Sequence, residues 1–328
     1  RCMKNYKFIL KLTGPITQVP DSQKLFGALM YMFAEKYGDE RAADLASAVR
    51  NKEIHLALSN IMPEGYLPAP KDYLMDHISK KNNLAEELKK KHAAIKIRSY
   101  IKSQELEHVL AEPESSEFLF PYVTQLDLQQ LRASIDSVCY DIPELDTRLY
   151  SVPTVVLSEV SQDKKGREHY RPVDTYCYFL QVDDSSLCSD FLGMTEDAAA
   201  DQKMIILGKR ASQGLNLFQF MEIAEQKGSG AEAAFYLNTG MLLPDSIDFK
   251  ASSIKLFTSQ RRPFEMTGGW RKDAPKYYIS FIEQGSIIVV REGVGHAGKS
   301  IESPFRQNRD IVFGNAFLYP IYLSERQV

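Results

Sequence analysis

One pattern in the chain limits its fold more than any other: a strand, a breaker and an amphipathic helix, in that order, at the start. Residues 6–12, YKFILKL, alternate well enough for a half-buried strand, and Gly14-Pro15 ends it. Leu25, Phe26, Leu29, Met30 and Phe33 then recur at helical spacing, which predicts a helix with one buried stripe. Asp21 or Ser22 can cap it by accepting from the free N–H groups of its first turn. Gly38 is the expected stop. A second helix, GDERAADLASAVRN, is predicted to turn Ala42, Leu45, Ala46 and Val49 inward. The second half of the chain echoes this order coarsely, with strand, helix and further strands. At 328 residues and 44% hydrophobic content the chain can bury one large core or two ordinary ones. The expectation is therefore α+β, with two domains of split βαβ type at 3–150 and 151–328.

Between these units the signals are shorter. SNIMPEGYLPAPKDYL, with three prolines and a glycine, reads as an ordered loop. Residues 84–111 look helical, but AAIKIRSYI alternates and predicts a short interrupting strand. TVVLSEV and TYCYFLQV are expected to pair as a hairpin whose long basic tip is SQDKKGREHYRP. EDAAADQKMIIL reads as a helix starting near Thr195. The last third, from AAFYLNTGML to DIVFGNAFLYPIYL, is rich in strand formers.

Composition excludes several classes. No apolar run approaches the roughly 20 residues that cross a bilayer. Arg1 and Cys2 precede Met3, which reads as the native start, with no signal peptide before the first strand. Four cysteines (Cys2, Cys139, Cys177, Cys188) without C-x-x-C spacing argue against a zinc ribbon or a disulfide framework and suit reduced thiols in a cytoplasmic protein. A net charge of −3 excludes a bulk-basic nucleic-acid binder but not a localised basic face. The charge is uneven: nine basic against four acidic residues from Lys71 to Lys102, and six against two from Lys255 to Lys276. Taken singly, such a run most often marks a solvated surface.

Three motifs carry candidate chemistry. GVGHAGKS, from Gly293 to Ser300, fits the phosphate-loop pattern, but Pro304 follows too closely for the helix that such a loop requires. A glycine turn between strands is the better reading. LGKRASQGLNLFQF brackets Lys209, Arg210, Ser212 and Gln213 between Gly208 and Gly214. Glycines bring backbone N–H groups close to an anion, and the side chains add charge and neutral donors. The bland alternative is a polar turn. SQRRPFEMTGGWRKDAPKYY places Trp270 beside Arg271 and Lys272, behind Arg261 and Arg262, a mixture suited to stacking and gripping single-stranded RNA. The bland alternative here is a surface loop whose tryptophan packs on the core. Six histidines show no metal-ligating spacing, and no G-x-S-x-G elbow is present. Asp21 and Asp136 read as caps or structural carboxylates. No catalytic set, metal site or cofactor is predicted.

In order along the chain these segments resemble the RAMP superfamily of CRISPR RNA-binding proteins, and within it the fourth subunit of type III-A (Csm) effector complexes. The marks are LKLTGPI with DSQKLFGAL, SNIMPEGYLPAPKDYL, RASIDSVCYDIPELDTRLY, LGKRASQGLNLFQF, RRPFEMTGGWRKD, IEQGSIIVV and VFGNAFLYPI. The resemblance covers nearly the whole chain from Met3. It implies two ferredoxin-like (RRM-type) domains with inserted loops and hairpins. It also implies a non-catalytic subunit that holds the 5′ repeat-derived tag of the CRISPR RNA (crRNA) and contacts the large polymerase-like signalling subunit, the first backbone RAMP subunit and target RNA near the tag boundary. Departures are Gln213 and Asn216 in the glycine loop, and Ser137 where the family usually has Arg.

The residues expected to contact RNA are Lys209, Arg210, Ser212, Gln213 and Gly214, with Ser22 and Lys24 at the first helix start offering a phosphate site. Arg132, Arg261, Arg262, Trp270, Arg271 and Lys272 form a second tier. Lys164, Lys165, Arg167 and His169 mark a candidate thumb, and the loop from Pro63 to Lys71 is its rival. The competing function is a metal-independent RNA-processing endonuclease, which would need His169 or His296 near the glycine loop.

Overall fold

The computed structural model describes residues 2–81, 85–134, 148–226, 233–261, 277–304 and 311–322. The opening strand β1 (Lys4–Leu12) leads to helix α1 (Ser22–Tyr37). Leu25, Phe26, Leu29 and Phe33 are buried as the spacing predicts, and Met30 is half-buried against them. Asp21 is the cap, its carboxylate accepting from the Lys24 N–H at 2.9 Å, and Gly38 ends the helix at φ 88. Helix α2 (Asp39–Arg50) buries Ala42, Leu45, Ala48 and Val49; Ala48 takes the inward place expected of Ala46. Strand β2 (Leu56–Leu58) closes this first unit.

Residues 64–174 then leave the first sheet and build a second. The proline-rich segment forms β3 (Met62–Pro63) and β4 (Tyr66–Pro68) and leads into α3 (Lys71–Lys81). Helix α4 (Ala85–Ile97), β5 (Tyr100–Lys102) and α5 (Leu106–Ala111) follow, so a strand does interrupt the helical stretch. Two long strands, β6 (Tyr122–Ser134) and β7 (Arg148–Gln162), pair along their whole length, and β8 (Glu168–Pro172) returns on β7. The sheet order is β4-β5-β6-β7-β8.

The chain re-enters the first sheet at β9 (Thr175–Val182), continues through α6 (Ser186–Ala200), and ends the unit with β10 (Met204–Ile206) and β11 (Leu217–Gln226). The path runs β10-β11-β1-β9-β2, all antiparallel, with β3 also pairing β9. Leaving out the insertion, the chain reads β1-α1-β2-β9-α6-β11 with the fourth, first, third and second strands side by side. That is a ferredoxin-like split βαβ arrangement. The boundary expected at residue 150 is crossed by this sheet, since β1 and β2 precede it and β9, β10 and β11 follow it.

Two expectations need correction. β9 is not the partner of β7: seven of its eight residues are buried, as befits a strand with neighbours on both sides. The β7 hairpin partner is the short exposed β8, and Val173-Asp174 separates it from β9. Nor does a helix start near Thr195. Ser185 caps α6 through the Cys188 N–H at 3.3 Å, nine residues earlier along the chain than Met194 buried on its inner face, and QKMIIL supplies β10. The sequence hides this start because SSLCSDFLGM carries few strong helix formers.

The last segment is β-rich: β12 (Phe235–Asn238), β13 (Leu256–Arg261), β14 (Tyr277–Ile282), β15 (Ile287–Ile288), β16 (Ile301–Glu302), β17 (Ile311–Val312) and β18 (Leu318–Ile321). Central β12 lies between β15 and β18. Among the described residues from 233 to 322 the only helical piece is a 3-10 turn at Val294–His296. No helix among the described residues is long and apolar enough to cross a membrane.

Buried Asp183, just past β9, ties α2–β2 to α6. Its carboxylate accepts the His55 N–H at 2.9 Å and the Ser185 N–H at 3.1 Å. Burial raises its pKa, but hydrogen bonds from the Ser185 hydroxyl and these two backbone groups outweigh that and hold it at about 2. The folded value lies below the ordinary 3.8, so the stability it confers is complete above about pH 4 and is lost as pH falls toward 2. Asp183→Ala is expected to cost about 2 kcal/mol at neutral pH and to flatten the acid limb of a stability–pH curve. An unchanged acid limb would refute this role.

Candidate nucleic-acid interface

The glycine-rich loop joins β10 to β11 and lies over the turn that leaves β1. Two facts about the sequence force this. Three residues of the loop, Arg210, Gly214 and Asn216, take left-handed φ values of 67, 72 and 60. Gly14, in the facing turn, has no room for a side chain, since a Cβ there would lie 2.3 Å from the Gly214 carbonyl oxygen. A 3-10 turn at Ala211–Gln213 sits between the left-handed residues. It leaves Lys209, Arg210, Ser212, Gln213 and Gly214 exposed, above buried Leu207, Leu215 and Asn216.

Asn216 is the staple. Its Oδ1 accepts from the Thr17 N–H at 2.9 Å, and its Nδ2 donates to the Lys209 carbonyl at 2.7 Å and to Thr17 Oγ1 at 3.1 Å. Its backbone N–H donates to the Pro15 carbonyl at 2.9 Å, and its carbonyl accepts from Leu207 at 2.9 Å. One fully buried side chain thus fixes both ends of the glycine loop and the β1 exit turn.

The second sheet brings in the rest of the platform. Arg132 on β6 donates from Nη1 to Gln213 Oε1 at 3.1 Å and is steadied by Gln130 Oε1 at 3.0 and 3.3 Å. The Arg210 guanidinium stands 5.8 Å from the ring centroid of Tyr150, which pairs with Arg132 across the β6–β7 ladder. A backbone bridge between Ile16 and Val155 holds the β1 exit turn on β7. Among the described residues Lys209, Arg210 and Arg132 form no ion pair, so the platform presents three cations, an exposed hydroxyl and an exposed amide to solvent.

Other predicted site residues fall elsewhere. Ser22 is fully buried: its N–H donates to Asn60 Oδ1 at 2.8 Å and its hydroxyl accepts from the Met241 N–H at 3.0 Å. Lys24 spends its N–H on Asp21, and its ammonium lies 3.6 Å from the same carboxylate. The α1 N-terminus is thus taken by protein acceptors, which corrects its reading as a phosphate site. Ser22→Ala should cost about 1–3 kcal/mol in urea denaturation by stranding the Met241 N–H, and leave RNA affinity unchanged. An affinity loss without a stability loss would restore Ser22 to the interface.

Lys164, Lys165, Arg167 and His169 are exposed at the β7–β8 turn, organised by Asp163, whose carboxylate accepts the Lys165 and Arg167 N–H groups at 2.8 and 2.9 Å. His169 pairs with Ser161, eleven residues along β7 from Tyr150, or roughly 35 Å at a strand's rise. The candidate thumb and the glycine loop therefore lie at opposite ends of β7. The rival loop is interior: residues 66–70 are buried, and Pro63 pairs with Tyr176 on β9. Arg262, Trp270, Arg271 and Lys272 lie outside the described residues, as does the Arg261 side chain.

The phosphate-loop match is a turn between short strands, with β15 before it and β16 after. Ser300 is buried and accepts from the Gly314 N–H at 3.2 Å, while Lys299 lies 3.6 Å from Asp245. Gly295 packs where a Cβ would fall 2.4 Å from Met3 Cε. His296 therefore neighbours the start of β1, and the glycine loop its end, roughly 30 Å apart along the strand. Of the basic run from Lys71 to Lys102, Arg98 is structural: buried, it donates to the Ala94 and Glu117 carbonyls at 2.7 and 2.6 Å and stands 4.4 Å from the Tyr122 ring. Sequence reading missed Tyr150, Thr17 and the stapling role of Asn216. The one available signal was that Asn, among non-glycine residues, readily takes a left-handed conformation.

These features define an α+β protein with a ferredoxin-like sheet and an exposed cationic loop ahead of its last strand. Its fold is also that of a chain in a crystallised Csm1–Csm4 cassette. In the cassette bound to cA4 the TM-score is 0.55 at 16% identity, covering 98% of this chain and 99% of that one. In the cassette bound to AMPPNP it is 0.53 at 14% identity, covering 99% and 100%. No protein-family model matches the sequence, and no curated protein matches it.

Proposed function

We propose that the chain is the Csm4-like RAMP subunit of a cytoplasmic type III-A CRISPR effector complex, a non-catalytic scaffold that holds the 5′ repeat-derived tag of the crRNA. The observation that carries this reading is the platform of Lys209, Arg210 and Arg132, held rigid by Asn216 and free of carboxylate partners among the described residues. Such a surface neutralises phosphates without reading sequence, which suits a guide RNA whose specificity lies in base pairing. The likeness to the Csm1–Csm4 cassette supports a large signalling subunit as one partner. The backbone RAMP subunit, and target RNA near the tag boundary, complete the set that the sequence resemblance implies. In this reading the cationic turn at Lys164–His169 meets RNA or a neighbour several nucleotides from the tag.

Crosslinking the assembled complex to crRNA with a photoreactive 5′ tag tests this. Adducts on peptides holding residues 207–216 or Tyr150 are expected; adducts confined to other faces would sink the assignment. The endonuclease alternative needs a histidine beside the glycine loop, and neither His169 nor His296 is near it. Purified protein incubated with repeat RNA in metal-free buffer should leave it intact. Site-specific cutting that disappears with His169→Ala or His296→Ala would reverse the choice.

A further inference from the structure

A cavity of about 480 Å³ opens where the inserted sheet meets the last segment, away from the glycine loop. One wall is the β4–α3 junction with Lys71, and Lys96 near the end of α4; the other is the β14–β15 turn, Glu283-Gln284-Gly285, with Lys255. Tyr100 and Gln125 complete the lining from the second sheet.

The walls are built to stay in place. Asn238, fully buried on β12, donates from Nδ2 to the Ile282, Glu283 and Gly240 carbonyls at 3.0 Å each, which fixes the turn. Gly285 adopts φ 87 and approaches Ala69 so closely that a Cβ would lie 2.7 Å from its carbonyl oxygen. Gln284 accepts from Asn60 at 3.0 Å and donates to the Tyr100 hydroxyl at 3.4 Å.

Its chemistry is cationic with neutral donors behind. Three lysines line the cavity against two carboxylates. Glu283 is engaged by Lys255 at 3.0 Å. The Lys71 ammonium donates to a neutral acceptor, the Lys96 carbonyl, at 2.7 Å. Burial, and to a lesser degree Lys255, pushes its pKa down against the opposing pull of Glu283 and Asp72. A bound anion would replace the solvation that this buried ammonium has lost. The volume falls within the range of about 300–1,000 Å³ typical of small-molecule sites.

We infer that this cavity binds a nucleoside phosphate, with Lys71, Lys96 and Lys255 on the phosphate and the amides of Gln125 and Gln284 on the base, backed by buried Tyr100. The shared chemistry could come from a free mononucleotide or from one nucleotide of a single-stranded RNA. This site is distinct from the glycine-loop platform and does not rest on it.

Two probes separate the sources: adenosine and uridine 5′-monophosphates by calorimetry, and a 5′-phosphorylated eight-nucleotide RNA by fluorescence anisotropy. Lys71→Gln with Lys255→Gln should weaken binding of at least one probe roughly tenfold or more. Lys96 is exposed, so Lys96→Glu should do the same with no change in thermal midpoint, which covers the case where the double variant misfolds. Mononucleotide binding lost in both variants identifies a free-nucleotide site; loss for the RNA alone identifies a nucleotide held within a chain. If neither variant moves either probe, the inference is wrong. It is also wrong if Lys209→Ala with Arg210→Ala abolishes mononucleotide binding, since the ligand then sits on the glycine loop. RNA that binds unaltered to that last variant but not to Lys96→Glu would count against the platform and for the cavity.

Discussion

Replacing Lys209, Arg210 and Arg132 together by alanine is expected to weaken binding of a short single-stranded RNA by about a hundredfold at low salt. It should also flatten the dependence of affinity on salt. Each phosphate neutralised on a single strand contributes about −0.7 to the slope of log K against log salt concentration, so losing three cations should reduce that slope by about 2. The two readouts together discriminate. A structural role for these side chains would lower affinity at every salt concentration by a common factor and leave the slope alone. Melting should hardly change, because all three side chains reach solvent and none pairs with a carboxylate among the described residues. A full salt slope retained by the triple variant would place the phosphates elsewhere, with the β7–β8 turn the first surface to test.

How much of this was legible in the sequence depends on the range of the signal. The β1–α1–α2 opening was readable because strand alternation, a capping carboxylate, a stripe at helical spacing and a terminal glycine all act within a few residues of one another. The glycine loop was readable for the same reason. The interleaving of the sheet was not. Nothing within TYCYFLQV says that it lies between β1 and β2 and not beside TVVLSEV, which is nearer along the chain. That pairing is decided by burial on both faces of β9, a property of the whole molecule. Ser22 failed in an instructive way: the residue type and the helix start were right, but Asn60 and Met241, from distant parts of the chain, took its hydrogen-bonding capacity. Arg132 joined the platform through Gln213, 81 residues away, a contact that spacing cannot reveal.

Asn216→Ala should separate the shape of the loop from its charge. The substitution removes no cation, yet it strands the part-buried Thr17 N–H and Lys209 carbonyl beneath the loop and places a Cβ-bearing residue with no local hydrogen bond at φ 60. A stranded buried polar group costs about 1–3 kcal/mol and the left-handed backbone about 1–2 for alanine, so a loss of about 4 kcal/mol is expected in chemical denaturation. Asn216→Gly isolates the hydrogen bonds, because glycine takes the same φ freely. It should lose less stability than the alanine variant, and it should still bind RNA more weakly than the parent. The reason is mechanical: the Lys209 carbonyl is tied to a side chain that also grips the β1 exit turn, and this tie helps to hold Lys209 and Arg210 toward one face. Released, the two cations keep their charge, so the salt slope should stay near the parent's while affinity falls, opposite to the triple-alanine pattern. If Asn216→Gly binds RNA as tightly as the parent, the cations act by charge density alone and the rigid loop is not part of the recognition.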